Sequence, residues 1–169
     1  LVQYSFVAAG LRRPVISDCD VIGLSPEHRM SASSANESLV GELFAAAGGG
    51  DWAKVETLIT PDFRFIESDS LPVRGTYTGI REYRALFEAV REGAGAIEAE
   101  FVAMTSSDTH VVALLVLDFK DHGVRAPLAE TFRIRDGRVA EIVPYFFNPK
   151  DVEKVFSPVP DIIRAKLRR

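Results

Sequence analysis

The chain has 169 residues, 47% of them hydrophobic and 26% charged, with a net charge of −4. That is one globular domain's worth, long enough to bury roughly two thirds of its unfolded surface. It excludes a basic field for a phosphate backbone, any run near the ~18 apolar residues of a membrane span and, with Cys19 as the lone cysteine, an intrachain disulfide.

Such cysteine usage fits the thiol-reducing cytoplasm. The opening LVQYSFVAAG is mildly apolar, but Arg12 and Arg13 follow it, the reverse of a secretory signal. The first methionine, Met30, stands just before a Ser-rich run and the first good helical pattern. Residues 1–33 are therefore expected to form an extension outside the core, 34–156 the domain, and 157–169 a short tail.

The first helix is expected over Glu37–Ala47, where Leu39, Val40, Leu43, Phe44 and Ala47 fall on one stripe and Ser34 with Glu37 reads as a capping box. Gly48-Gly49-Gly50 stops it. No strand precedes that triplet and no Gly-Lys-Ser/Thr follows, so it reads as a terminator and not a phosphate loop. Asp51 caps a second short helix with Trp52, Val55, Leu58 and Ile59 inward, ended by Thr60-Pro61. Phe63–Glu67 then alternates as a strand, with Phe63, Phe65 and Glu67 on one face. A carboxylate sharing a face with two phenylalanines is the oddity of the chain. The loop SDSLPVRGTYTG follows and opens a third helix, Ile80–Glu92, whose inward stripe is Ile80, Tyr83, Leu86, Phe87 and Val90.

From there the period becomes two. Strands are expected over Ala96–Met104, His110–Phe119, Arg125–Arg135 and Arg138–Phe147, and Asp136-Gly137 is a strong hairpin signal. A last short helix over Pro149–Phe156 and an amphipathic tail finish the chain. Helices followed by a meander predict an α+β fold, with helices on one face of a strongly curved, mostly antiparallel sheet that encloses a cone-shaped pocket.

In the strand Arg125–Arg135, Leu128, Glu130 and Phe132 share a face, the second place where an acid sits among core residues. A three-residue turn with a glycine bulge would set Glu130 opposite Ile142, with Ile142, Pro144 and Phe146 on the same side and Glu141 in water. A tight two-residue turn would bring Glu141 inward instead; the bulged turn is preferred. Two acids in one apolar cavity cannot both ionise comfortably, and burial with mutual repulsion raises pKa values by up to ~3–5 units. One acid as base and one as neutral donor is the division needed to move a proton beside a carbonyl.

The order of elements, with GDW, LITPDF and ESDSLPVRGTYTGIREY, resembles the nuclear transport factor 2-like superfamily, in its SnoaL-like and ketosteroid-isomerase-like branch. The likeness spans about Glu37 to Asn148. It implies a mixed, cone-shaped sheet of the cystatin-like type. It also implies that Glu67 takes the general-base position of the isomerases and Glu130 that of the neutral acid of the oxyanion hole. Leu43 falls where those isomerases carry an oxyanion tyrosine, so strict steroid isomerisation is not expected: one such donor is worth roughly 2.7–4 kcal/mol. Asn148 falls where many SnoaL-like relatives have an aspartate. The Asp-Arg-Asp set of the superfamily's epoxide hydrolases is not matched, since Arg133 and Arg135 should face outward.

The expected reading is a cofactor-independent isomerase, cyclase or dehydratase acting on a small apolar carbonyl compound. Glu67 and Glu130 would be catalytic, and Phe44, Phe63, Phe65, Tyr83, Phe87, Phe132, Ile142, Phe146 and Asn148 would bind substrate. The alternative is a non-catalytic ligand-binding or dimerisation module, in which Glu67 meets Arg74 or Arg84 and Glu130 pairs with a tyrosine or a loop amide. Either way a homodimer is expected through the outer sheet face, where Val112, Leu114, Val116, Val143 and Tyr145 are unusually apolar. His28, His110, His122 and Cys19 show no paired spacing, so no metal is expected, and no dinucleotide fingerprint points to a nucleotide cofactor.

Overall fold

A computed structural model describes residues 4–5 and 26–168, with side chains from Ser34 onward. Helices α1 (Pro26–Gly49) and α2 (Trp52–Leu58) lead into β2 (Ile59–Glu67), which turns back as β3 (Gly75–Thr78). Helix α3 (Gly79–Ala94) then opens the meander β4 (Ile97–Ser106), β5 (His110–Phe119), β6 (Val124–Arg135) and β7 (Arg138–Phe146). Two short helices, α4 (Pro149–Phe156) and α5 (Val159–Leu167), end the described chain.

The sheet runs β1-β4-β5-β6-β7-β2-β3, where β1 is the two-residue strand Tyr4–Ser5 beside β4. It is mixed and open. The meander and the β2–β3 pair are antiparallel, while β1–β4 and β2–β7 are parallel. Helix α1 packs on β4 and β5, α3 on β2 and β3, and α4 on β6, so the helices share one face of the sheet. Register shifts in β4 at Val102 and in β7 at Val139-Ala140 bend that face inward, as bulges do.

Local chemistry explains most boundaries. Asp51 accepts the Lys54 N–H at 3.0 Å and starts α2, and Glu82 reaches back to the Thr78 N–H at 2.7 Å at the start of α3. Gly95 ends α3 with φ +71°, and a Cβ there would meet Asp121 Oδ2 at 2.0 Å. That oxygen accepts the Ala96 N–H, so the glycine lets the loop between β5 and β6 close on the helix end.

Three expectations change. No glycine or proline lies between Pro26 and the Ser-rich run, so α1 passes straight through Ser34 and Glu37, and they form no capping box. Instead the Ser34 carbonyl accepts from Ser38 Oγ, and Glu37 Oε1 accepts from Ser106 Oγ at 2.7 Å, tying α1 to the end of β4. Thr60 and Pro61 already belong to β2, where pairing with β7 slips between Ile59 and Arg64, a place in a strand that tolerates a residue with no N–H. The Gly75–Thr78 part of the expected loop is a strand, too short for its period to show in sequence. The 33/34 boundary falls inside α1; residues 1–3 and 6–25, Cys19 among them, and the side chain of His28 lie outside the described residues.

Candidate functional site

The alternation of β2 places Phe63, Phe65 and Glu67 on the helix-covered face, and that of β6 does the same for Leu128, Glu130 and Phe132. Both glutamates are buried, each 8% exposed. Glu130 pairs across the ladder with Pro144, and Phe65 pairs with Ile142 on the other side of β7. Two residues further along the parallel pair, Glu67 comes level with Pro144. The acids thus share one row across three strands, their backbones roughly 10 Å apart with a proline between them.

This row corrects the expected partner of Glu130, which is Pro144 and not Ile142. Asp136 (φ +53°) and Gly137 (φ +69°) form a tight two-residue turn with both residues left-handed, and Arg135 pairs directly with Arg138. The bulge lies one step later, at Val139-Ala140, and restores the parity that keeps Glu141 outward. There Glu141 is held by Arg64 and, at 3.7 Å, by Arg133, while Arg135 pairs with Asp62.

A cavity of about 140 Å³ opens over the row, walled almost wholly by apolar side chains. Phe44 and Ala47 of α1 form one side, and Tyr83, Leu86, Phe87 and Val90 of α3 another. Phe65, Glu67, Glu130, Pro144 and Phe146 make the sheet side, with Phe156 of α4 at the far end. Tyr83 is fixed by stacking on Phe65, with ring centroids 5.5 Å apart, and by an edge contact to Trp52.

Of the residues expected from sequence, the cavity gathers Glu67, Glu130, Phe44, Phe65, Tyr83, Phe87 and Phe146. It does not gather Phe63, Phe132, Ile142 or Asn148. Phe63 faces inward but lies under Tyr83, centroids 5.0 Å apart, and Phe132 is sealed behind Phe44. Ile142 is one row deeper in the core, at 1% exposure. Asn148 is exposed at the start of α4, donating to Asp151 Oδ1 at 2.8 Å. Leu43, at the position compared with the oxyanion tyrosine, is core and does not reach the cavity.

The acids are in an unusual state. Burial pushes the Glu67 carboxyl up to about 7, against the pull of the Ser68 N–H, which stabilises the charged form. Burial pushes Glu130 further, to about 8, with the negative charge of Glu67 adding to it. Glu67 Oε2 has no hydrogen-bond partner. The partners considered for it are taken up elsewhere: Arg84 pairs with Glu88 and lies over the Trp52 ring, and Arg74 is exposed. Tyr77 donates to the Val73 carbonyl at 2.7 Å, and burial together with the charges of Glu67 and Glu82 pushes its hydroxyl up to about 12. It is a neutral brace of the 73–77 turn.

Sequence reading missed Arg91, the one basic side chain on the cavity wall. Its signal was present: 83, 87 and 91 continue one stripe of α3 at four-residue spacing. Among the described residues no group of three His, Cys, Asp or Glu is placed to hold a metal ion.

A curved sheet closed by helices over two inward acids defines a pocket protein of the cystatin-like, or nuclear transport factor 2-like, fold. The chain belongs to the SnoaL-like family, whose domain is matched over residues 40–142, more than half its length. Similar solved structures include Bal32a from a soil-derived mobile gene cassette, 18% identical with a TM-score of 0.66, covering 73% of this chain and 98% of that one. A candidate SnoaL-like polyketide cyclase from Jannaschia sp. CCS1 is 22% identical with a TM-score of 0.61, covering 82% and 97%. A candidate ketosteroid isomerase from Kribbella flavida is 18% identical with a TM-score of 0.58, covering 70% and 82%. At these identities the likeness is one of fold. No curated protein matches the sequence.

Proposed function

We propose that the protein is a cofactor-independent proton-transfer enzyme acting on a small, largely apolar carbonyl compound, by isomerisation, aldol-type cyclisation or dehydration. The observation that carries this reading is the buried, unpartnered Oε2 of Glu67 in the same apolar cavity as Glu130. A carboxyl with an unmet acceptor costs roughly 1–3 kcal/mol, and more when charged, so its retention calls for an explanation. The names of the cyclase and isomerase neighbours agree with the same chemistry.

In this mechanism Glu67, the more acidic of the two, is ionised and takes a proton from the carbon next to the carbonyl. The C–H electron pair moves into the carbon skeleton, and charge collects on the carbonyl oxygen as an enolate. Neutral Glu130 donates a hydrogen bond to that oxygen, and Glu67 returns the proton to a new position. Phe44, Phe65 and Phe87 keep water away from the enolate. The test is deuterium exchange from D2O into a panel of small ketones, followed by NMR. Wild type should exchange them well above buffer, and Glu67→Gln should fold normally but lose at least ~10²-fold in rate. An unchanged rate in that variant removes Glu67 from the mechanism.

A second reading has its own observation. At about 140 Å³ the cavity is well short of the ~300 Å³ of usual ligand sites, and the outer sheet face leaves Leu114 44% and Tyr145 57% exposed. On this reading the protein is a non-catalytic ligand-binding or dimerisation module. Under either reading the outer face of β5, β6 and β7 joins two copies, and Leu114→Glu should convert a dimer to monomer in sedimentation. A monomeric wild type would remove that contact.

A further inference from the structure

We infer that the ligand of this cavity is a small carboxylate, no larger than a single substituted ring, whose anionic group is received by Arg91. This deepens the proposed function and rests on its reading of the cavity as a ligand site.

Size comes first. An engineered apolar cavity of roughly 150 Å³ holds one benzene ring, so a space of about 140 Å³ takes a ligand of that order and no fused polycycle. Shape agrees, since aromatic side chains from α1 (Phe44), α3 (Tyr83 and Phe87) and the sheet (Phe65) line it.

Charge comes next. Apart from the two glutamates, Arg91 brings the one formal charge to the wall. It sits in the last turn of α3, partly buried, on the stripe that carries Tyr83 and Phe87. The cavity acids do not neutralise it. What shifts Glu67 is burial and the Ser68 N–H, and what shifts Glu130 is burial and Glu67. Nor do the neighbouring surface acids. Glu88 is engaged by Arg84 and Lys166, and Glu92 by Lys166 at 3.0 Å. An arginine on an apolar wall, with no ion pair among the described residues, can offer its guanidinium as a fork for an oxyanion, and the planar carboxylate matches it in two parallel hydrogen bonds. The carboxylate end at Arg91 then sets the ring or chain toward Glu67 and Glu130, so the ligand class is a short oxo-acid or a small cyclic acid.

The test compares two probes with the same number of non-hydrogen atoms, benzoate and acetophenone, by titration calorimetry or ligand-observed NMR on the full chain. Wild type should bind benzoate roughly tenfold to a hundredfold more tightly, the worth of a charge-assisted pair. In Arg91→Met the benzoate-to-acetophenone ratio should fall to near one, and Arg91→Lys should recover part of it. Equal affinities in wild type, or an undiminished ratio in Arg91→Met, overturn the carboxylate inference and leave the proton-transfer reading standing. If neither probe binds at millimolar concentration, the inference and the cavity reading fall together.

Discussion

The two faces of the sheet treat carboxylates in opposite ways. On the outer face, Glu141 of β7 is clasped by Arg64 and Arg133 from the strands on either side. On the inner face, Glu67 and Glu130 flank the same β7 with no basic partner, in an apolar hollow that drives both toward the protonated form. The outer arrangement is what folding alone favours, because opposite charges meet at a wet surface. The inner one opposes folding whenever either acid is charged. The same fold thus pairs one acid with arginines on its outer face and leaves two without a basic partner inside.

Acidity tests that contrast most strongly. Both inner acids have folded-state pKa values above the 4.5 of an ordinary glutamate. Between pH 4.5 and about 8 the folded protein therefore holds protons that the unfolded chain has lost. By linkage, stability must fall as pH rises through that window. Each unit of difference is worth about 1.4 kcal/mol per group, so rises from 4.5 to about 7 and about 8 set an upper limit of about 8 kcal/mol for the two groups together. Urea unfolding at pH 5 and pH 8.5 should show it, and the double variant Glu67→Gln/Glu130→Gln should flatten it. A wild type that is equally stable at both values would mean that these acids are hydrated. Turnover should trace a narrow bell over the same window, rising as Glu67 ionises near 7 and falling as Glu130 follows near 8.

Much of this site was legible before any coordinates, for a simple reason. Alternation is a period of two, so an acid two residues from a buried phenylalanine must share its face, and Glu67 and Glu130 could be picked out by counting. The face of β7 was also legible, but not its register. Asp136-Gly137 announces a hairpin, yet nothing local separates a bulge in the turn from one at Val139-Ala140, since both restore the same parity. Depth was harder still. Phe63 and Phe65 are equivalent in pattern, and only the three-dimensional packing separates them, with Phe65 on the cavity wall and Phe63 buried beside Tyr83. Arg91 was overlooked because a helix stripe is read by its apolar members, and a charge at its edge passes for surface.

A middle-sized effect separates the inner acids from each other. Glu130 feels both burial and the charge of Glu67, so a neutral isostere should help most there. At pH 8.5 we expect Glu130→Gln to raise the unfolding free energy by at least about 1–3 kcal/mol, the usual cost of a buried unsatisfied polar group and a lower bound for a charged one. At pH 4.5 the same change should be nearly silent, because the wild-type acid is already neutral. Stabilisation at both pH values would point to packing and not ionisation.

The smallest effect belongs to the outer face, and its sign carries the comparison. Glu141 is 19% exposed at its side chain, against 49% for Arg64 and 35% for Arg133, so solvent screens both contacts. Exposed pairs contribute ~0.2–1 kcal/mol, and Glu141→Gln should cost no more than about 1 kcal/mol at pH 7, less at high salt. The substitution is chemically the same as Glu130→Gln, on the neighbouring strand of the same sheet. Yet it should destabilise where the inner one stabilises, because Glu141 loses two cations while Glu130 loses only a charge it could not shed water to hold. If both substitutions shifted stability in the same direction at pH 8.5, side-chain placement across β7 would not be what divides these acids.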